Sequence, residues 1–200
     1  AAGTGGGNGV CYAPSIDLSA RFVAFESTAS DLIANDTNMR SDVFMRDVQT
    51  GTTTLVSVNT AGTGGGDGDS SEPSVSADAR FVAFWSSASD LSAGDANGTH
   101  DVFVRDLKSG TTALVSANAE GTGAGNASSF RPSISANGRF VAFMSDASDL
   151  VGHELGVPDR GDRERHEPAG VGPAPLVDVP VVVRAQHVET HVEVLGAREQ

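Results

Sequence analysis

Short apolar runs punctuate the first three-quarters of the chain, and none of them has helical spacing. Phe22-Val23-Ala24-Phe25 is continuously apolar, and the same string stands at Phe81 to Phe84 and at Phe140 to Phe143. An unbroken run of this length fits a strand covered on both faces better than one with a wet side. Each run is preceded by a Pro-Ser-Ile/Val element: Pro14-Ser15-Ile16, Pro73-Ser74-Val75 and Pro132-Ser133-Ile134. Asp42-Val43-Phe44 returns as Asp101-Val102-Phe103, and Ala2 to Gly7 returns as Ala61 to Gly66. Every one of these offsets is 59 residues. A fixed period of this size marks a repeat architecture built from one supersecondary unit per copy.

Each unit predicts four strands, in the first copy Pro14 to Leu18, Arg21 to Ser27, Asp42 to Val48 and Thr52 to Asn59. Proline suits a strand start because it has no ladder donor. Asn137-Gly138 is the favoured hairpin pair between the first two strands of the third copy. Gly51 and Gly110 mark the turn before a Thr/Val-rich fourth strand. Four antiparallel strands with an apolar interior on both faces describe a propeller blade, which lies between two neighbours. The expected fold class is therefore all-β, with β-propeller blades of 59 residues forming an incomplete ring. The blades span residues 14–71 and 72–129, with the start of a third at 130–150. Closure takes 4–8 blades, or roughly 240–470 residues at this repeat length. Two and a half blades would leave apolar edges uncovered, so the remaining blades of a longer chain are expected partners.

The units resemble the WD-repeat-like β-propeller repeats of the TolB type, which occur in many bacterial envelope and secreted proteins. The resemblance rests on Pro-Ser-Ile/Val-Ser-x-Asp/Asn-x-Arg-Phe-Val-Ala-Phe, which reads Pro73 to Phe84 in the second copy once Ala77 and Ala79 fill the variable places. Ala-Ser-Asp-Leu, Asp-x-Asn and Asp-Val-Phe-Val/Met-Arg-Asp follow, ending in a Gly-Thr-Thr turn. It covers residues 1 to about 150. It implies a non-catalytic interaction module of a secreted or periplasmic protein, with protein or glycan partners. Some propellers of this type accompany a serine-peptidase domain, so an accessory propeller of such a hydrolase is the alternative. A calcium-stabilised structural repeat is a further one. The fold alone does not choose among these roles.

Residues 151–200 depart from the pattern: they contain no Ser, Asn or Phe, yet hold four of the five His and five of the eight Pro. This atypical tail reads as a Pro-rich linker with an unrelated strand, or as an out-of-frame segment. A shift of one nucleotide across Gly152-His153-Glu154 permits Asp-Thr-Asn, the element that the repeat demands next. His187, Glu189 and His191 alternate with Val188 and Thr190, a spacing that sets a candidate zinc trio on one strand face.

A net charge of −13, with 13 Lys and Arg in 200 residues, offers no basic footprint for nucleic acid or for an anionic membrane surface. No apolar run approaches the ~20 residues of a membrane span, so no membrane insertion is expected. The single cysteine, Cys11, excludes an internal disulfide framework. No signal-peptide pattern opens the sequence, so an extracellular or periplasmic location follows only from the resemblance.

The sharpest polar feature is the loop before each Asp-Val-Phe strand. It carries Asp36, Asn38 and Asp42 in the first unit, and Asp95, Asn97 and Asp101 in the second. Oxygen ligands at alternating positions with a glycine at the turn, here Gly98, suit Ca²⁺. The first ligand of a full calcium loop is absent, because Ala93 stands in its place, and Met39 replaces the glycine in the first unit. An Asx turn, in which Asp and Asn bond their own backbone, explains the same residues without metal. Arg46-Asp47 and Arg105-Asp106 read as ion pairs between blades or fixing a turn. Phe22, Phe25, Phe44 and their copies read as core, and Trp85 as facing a partner or a loop. The glycine-rich segments Gly62 to Gly68 and Gly121 to Gly125 lack a Gly-Lys-Ser/Thr ending and read as inter-blade linkers. No Gly-x-Ser-x-Gly elbow occurs, and His100 is the single histidine of the first 150 residues, so no enzyme activity is expected.

Overall fold

A computed structural model describes residues 6–150 and, in backbone only, the strand Val182–Ala185. Strands β1 (Cys11–Ile16), β2 (Phe22–Ser27), β3 (Asp42–Asp47) and β4 (Thr52–Leu55) form one antiparallel sheet in chain order. Strands β5 (Ser70–Val75), β6 (Phe81–Ser86), β7 (Asp101–Asp106) and β8 (Thr111–Leu114) form a second sheet with the same register. A third sheet holds β9 (Ser129–Ile134) and β10 (Val141–Ser145), and no helix occurs among the described residues. These are two complete blades and the opening of a third, in an open arrangement of the propeller type.

The continuous apolar runs have the predicted cause. Alternate residues of a strand point to opposite faces, and both faces of the second blade are covered. Val82, Phe84 and Phe103 pack on Ala24, Val43, Met45 and Val56 of the first blade. On the opposite face Ala83, Val102 and Val104 meet Ile134, Val141 and Phe143 of the third. Phe44, Phe84 and Phe103 are fully buried. Phe22 and Phe25 are only half-buried, a correction to their reading as core. Phe22 packs at the margin of the core between the first two blades with Arg21 over its ring at 4.8 Å, and its third copy, Phe140, is exposed.

Proline does not start the first strand of a blade. Pro14 and Pro73 sit inside β1 and β5, where the register shifts between Tyr12 and Ser15 and between Ser71 and Ser74. A bulge leaves one residue unpaired, and that is where a missing N–H does no harm. The residue before each proline is left-handed: Ala13, Glu72 and Arg131 have φ of 47°, 51° and 51°. The fourth strands are shorter than expected, because the chain leaves the ladder after Leu55 and Leu114 to bury Val56, Ser57 and Ser116.

Adjacent blades are linked through their first strands. β1 contacts β5, and β5 contacts β9. Leu18 donates its N–H to the Ala77 carbonyl at 3.2 Å, and Ala77 donates to Ala136 at 2.9 Å. The repeated serine extends this link. Ser15 Oγ accepts the N–H of Val75, and Ser74 Oγ accepts the N–H of Ile134, each at 3.1 Å.

Of the tail, only Val182–Ala185 is described. It pairs parallel with β10, Val141 opposite Val182, where a blade would place an antiparallel strand. The third sheet thus has three strands and not two. The remainder of 151–200, including His187, Glu189 and His191, lies outside the described residues. No helix of the described residues is long and apolar enough to cross a membrane.

Candidate functional site

The loops joining β2 to β3 and β6 to β7 are built alike. In the first, Asp42 opens β3 and is fully buried, and its Oδ1 accepts the Ser57 hydroxyl at 2.5 Å. Its Oδ2 accepts the Asn38 side-chain amide at 2.7 Å. The same amide donates to the Gly66 carbonyl at 2.9 Å, and Asn38 Oδ1 accepts the Arg40 N–H at 3.0 Å. Asn38 therefore makes the Asx turn and also ties the loop to the linker. Gly65 is required here, since a Cβ on it would stand 2.3 Å from Asn38 Nδ2 and 2.7 Å from the Asp42 carboxylate oxygens. Asp36 is buried beside this group.

Asp101 repeats the first half of this arrangement. It is fully buried, and its Oδ1 accepts the Ser116 hydroxyl at 2.6 Å. Asn97 Oδ1 accepts the Thr99 N–H at 2.9 Å, and its amide donates to the Gly125 carbonyl at 2.7 Å. Asp101 Oδ2, however, receives no hydrogen bond, and neither does the buried Thr99 Oγ1.

Burial is the leading cause of the altered acidity in both loops. It pushes Asp42 up to about 6 against the opposing bonds from Ser57 and Asn38, with the charges of Asp36 and Asp69 adding to the rise. Asp95 is also pushed up to about 6, by burial first and by the Asp101 charge second. Burial raises Asp36 and Asp101 as well, while Ser116, Asn97 and His100 favour the Asp101 charge. The structure thus brings together Asp36 with Asp42, and Asp95 with Asp101. Asn38 and Asn97 serve as loop ties. Among the described residues, no three Asp, Glu, His or Cys side chains converge as a metal-binding group.

The sequence-adjacent arginine and aspartate do not pair with each other, because neighbours on a strand face opposite ways. The pairs are Arg21 with Asp47 at 2.6 Å and Arg80 with Asp106 at 2.8 Å, within each blade. Arg46 and Arg105 donate instead to Thr53 and Thr112. Asp47 also accepts the N–H groups of Gln49 and Thr50, and this part of the turn-fixing expectation stands. The Arg80 hydrogen bond, with help from the turn, holds Asp106 down to about 2.

Trp85 lies between the second and third blades. It meets His100 edge-on at 4.8 Å, and His100 in turn packs on Phe130 at 5.4 Å. A cavity of about 440 Å³ beside them is lined by Glu72, Trp85, Phe130, Arg131 and Met144. The first junction puts Glu26 at the Trp85 position, where it accepts the Ser71 hydroxyl and the Glu72 N–H. Sequence reasoning missed the junction serines Ser15 and Ser74 and the carboxylate partners Ser57 and Ser116. Their recurrence at the 59-residue offset was the available signal.

No family model matches the chain, and no curated protein matches it. Solved structures do. A TolB structure from Agrobacterium tumefaciens matches 72% of this chain and 42% of its own length, at 17% identity and a TM-score of 0.46. TolB from Acinetobacter baumannii covers 68% of this chain and 37% of its own, at 14% identity and 0.29. The acylaminoacyl peptidase of Pyrococcus horikoshii covers 54% and 14%, at 19% identity and 0.34. The chain is similar to TolB-type propellers. It spans less than half the length of either TolB structure. At such identities the likeness concerns fold, which the blade geometry above establishes independently.

Proposed function

We propose that the chain supplies blades to a non-catalytic propeller that binds protein or glycan partners outside the cytoplasm. The observation that supports it is how the repeat uses its polar side chains. Serines, asparagines and buried aspartates are spent on blade junctions and loop ties, and His100 is packed between Trp85 and Phe130. Nucleophilic or acid–base chemistry needs a base within hydrogen-bond reach of a nucleophile. The described residues spend their one histidine on aromatic packing.

A second support comes from the uncovered face of the first blade. Val23, Phe25 and Leu32 hold the positions of Val82, Phe84 and Leu91, which in the second blade are covered by the first. That face accepts a further blade of the same repeat, the remainder of a longer chain. Exposed Tyr12 and Ile16 continue it along β1, beside Val23 and Phe25.

The test immobilises the purified chain and probes it with glycan and peptide arrays, alongside esterase and aminopeptidase assays. Saturable binding, without turnover above buffer, is the expected result. Turnover that co-purifies with the chain through several columns would overturn the non-catalytic reading. Absence of any saturable ligand in either array would overturn the partner reading.

A further inference from the structure

We propose that the loop from Asp95 to Asp101 holds a calcium ion between its two carboxylates, and that its first-blade counterpart does not. Asp95 and Asp101 are both buried like charges, and no ion pair among the described residues reaches either of them. Two buried carboxylates without an ion-pair partner are costly unless a proton or a cation offsets them.

What separates the two blades is the oxygen left over. In the first blade both Asp42 oxygens are occupied, by Ser57 and by Asn38. In the second, Asp101 is fully buried and its Oδ2 has no hydrogen bond. Asn97 keeps the bond to Gly125 that Asn38 makes to Gly66, and its amide lies near the Asp101 carboxylate. Yet it completes no hydrogen bond to Oδ2 as Asn38 does to Asp42. Thr99 Oγ1 in the same loop is a second buried oxygen without a partner. An unpartnered buried oxygen in a native fold calls for a water or an ion.

Oxygen-only donors select a hard cation, and an irregular loop set suits calcium better than magnesium, which demands a near-octahedral shell. Asp95, Asp101 Oδ2 and Thr99 Oγ1 supply protein oxygens, and water completes the shell. Two carboxylates place the affinity in the weak range of extracellular modules, about 0.1–1 mM. Asn97 is a positioning residue here, not a ligand.

Terbium luminescence on the whole chain tests this, because Trp85 is its single tryptophan and packs against His100, next to Asp101. Excitation of Trp85 should give Tb³⁺ emission that millimolar Ca²⁺ displaces and equal Mg²⁺ does not. Asp95→Asn and Asp101→Asn should weaken it at least about tenfold through loss of ligand charge. Asp42→Asn and Asp36→Asn should leave it unchanged. Should Asp101→Asn fail to fold by circular dichroism, Asp95→Asn decides alone. Absent emission in the parent chain, or emission unaltered by Asp95→Asn, would overturn the site. Equal loss in Asp42→Asn would overturn its assignment to the second blade.

Discussion

Ser74 accepts the backbone N–H of Ile134 across the junction between the second and third blades, at 3.1 Å. Ser15 does the same for Val75 one repeat earlier. The strand receiving each bond is a blade's first, whose outer edge has no ladder partner in its own sheet. A side chain from the preceding blade therefore satisfies a donor that the fold would otherwise leave open. Ser74→Ala should destabilise the chain by about 1–2 kcal/mol in chemical unfolding, since the donor loses its acceptor in a partly buried place. A change within error would show that water replaces the serine at no cost.

Phe84 is fully buried and stacks on Phe103 with ring centroids 5.9 Å apart. It belongs to the face that the first blade covers. Phe84→Ala should cost on the order of 3–5 kcal/mol, combining lost transfer energy with a cavity that cannot collapse between two sheets. Phe25→Ala, at the matching but half-buried position of the first blade, should cost clearly less. Equal losses in urea titrations would mean that the first blade's open face is covered as well.

The repeat made the fold legible because an unbroken apolar run and a fixed period both constrain strand placement. Residues 22–25 and 81–84 became strands where expected, and Asp42 and Asp101 opened the third strand of each blade. What stayed hidden depends on direction in space. Arg46 beside Asp47 looks like a pair in one dimension, yet the strand's alternation sends the two to opposite faces and gives Asp47 to Arg21. The bulge at Pro14 could not be read either, because a proline at a strand start and one inside a bulge satisfy the same missing-donor rule. In the candidate loops the aspartates were legible as a group. The difference between them is the second carboxylate oxygen, bonded by Asn38 at Asp42 and left without a bond at Asp101, which identical Asp-x-Asn spacings do not reveal.

The turn between the first two strands carries a left-handed residue in every copy: Ala20 and Ala79, both at φ 56°, and Gly138 at φ 70°. An alanine there strains the backbone and a glycine does not. Ala20→Gly should raise stability by up to about 1 kcal/mol. The reverse change should cost more than that, because a Cβ on Gly138 would stand 2.3 Å from the Phe81 ring as well as at positive φ. Thermal melts of Ala20→Gly and Gly138→Ala compare the two. A Gly138→Ala variant as stable as the parent would contradict the close approach of Phe81.

The pH dependence of stability has two limbs of opposite sign. Asp42 and Asp95 titrate near 6 in the folded chain because burial disfavours their charge, with neighbouring carboxylates adding to the effect. Their unfolded value is about 3.9. A folded pKa above the unfolded one gives stability that is complete below the unfolded value and is lost as pH rises through the folded one. In a chelated sample, stability should therefore rise on acidification from pH 7.5 to about 4.5, by on the order of 1–3 kcal/mol. Asp47 and Asp106 act oppositely, because Arg21 and Arg80 hold them below the ordinary range. Their stabilisation is present above about 3.9 and fades as pH falls towards 2. The melting temperature should thus peak between these limbs, near pH 4–5. Asp95→Asn removes one of the titrating groups and should shrink the rise between pH 7.5 and 5 without moving the acid limb. Relief of the −13 net charge also favours the fold on acidification, and it remains in the variant. An identical slope in parent and Asp95→Asn above pH 5 would assign that limb to general charge repulsion and not to the buried carboxylate.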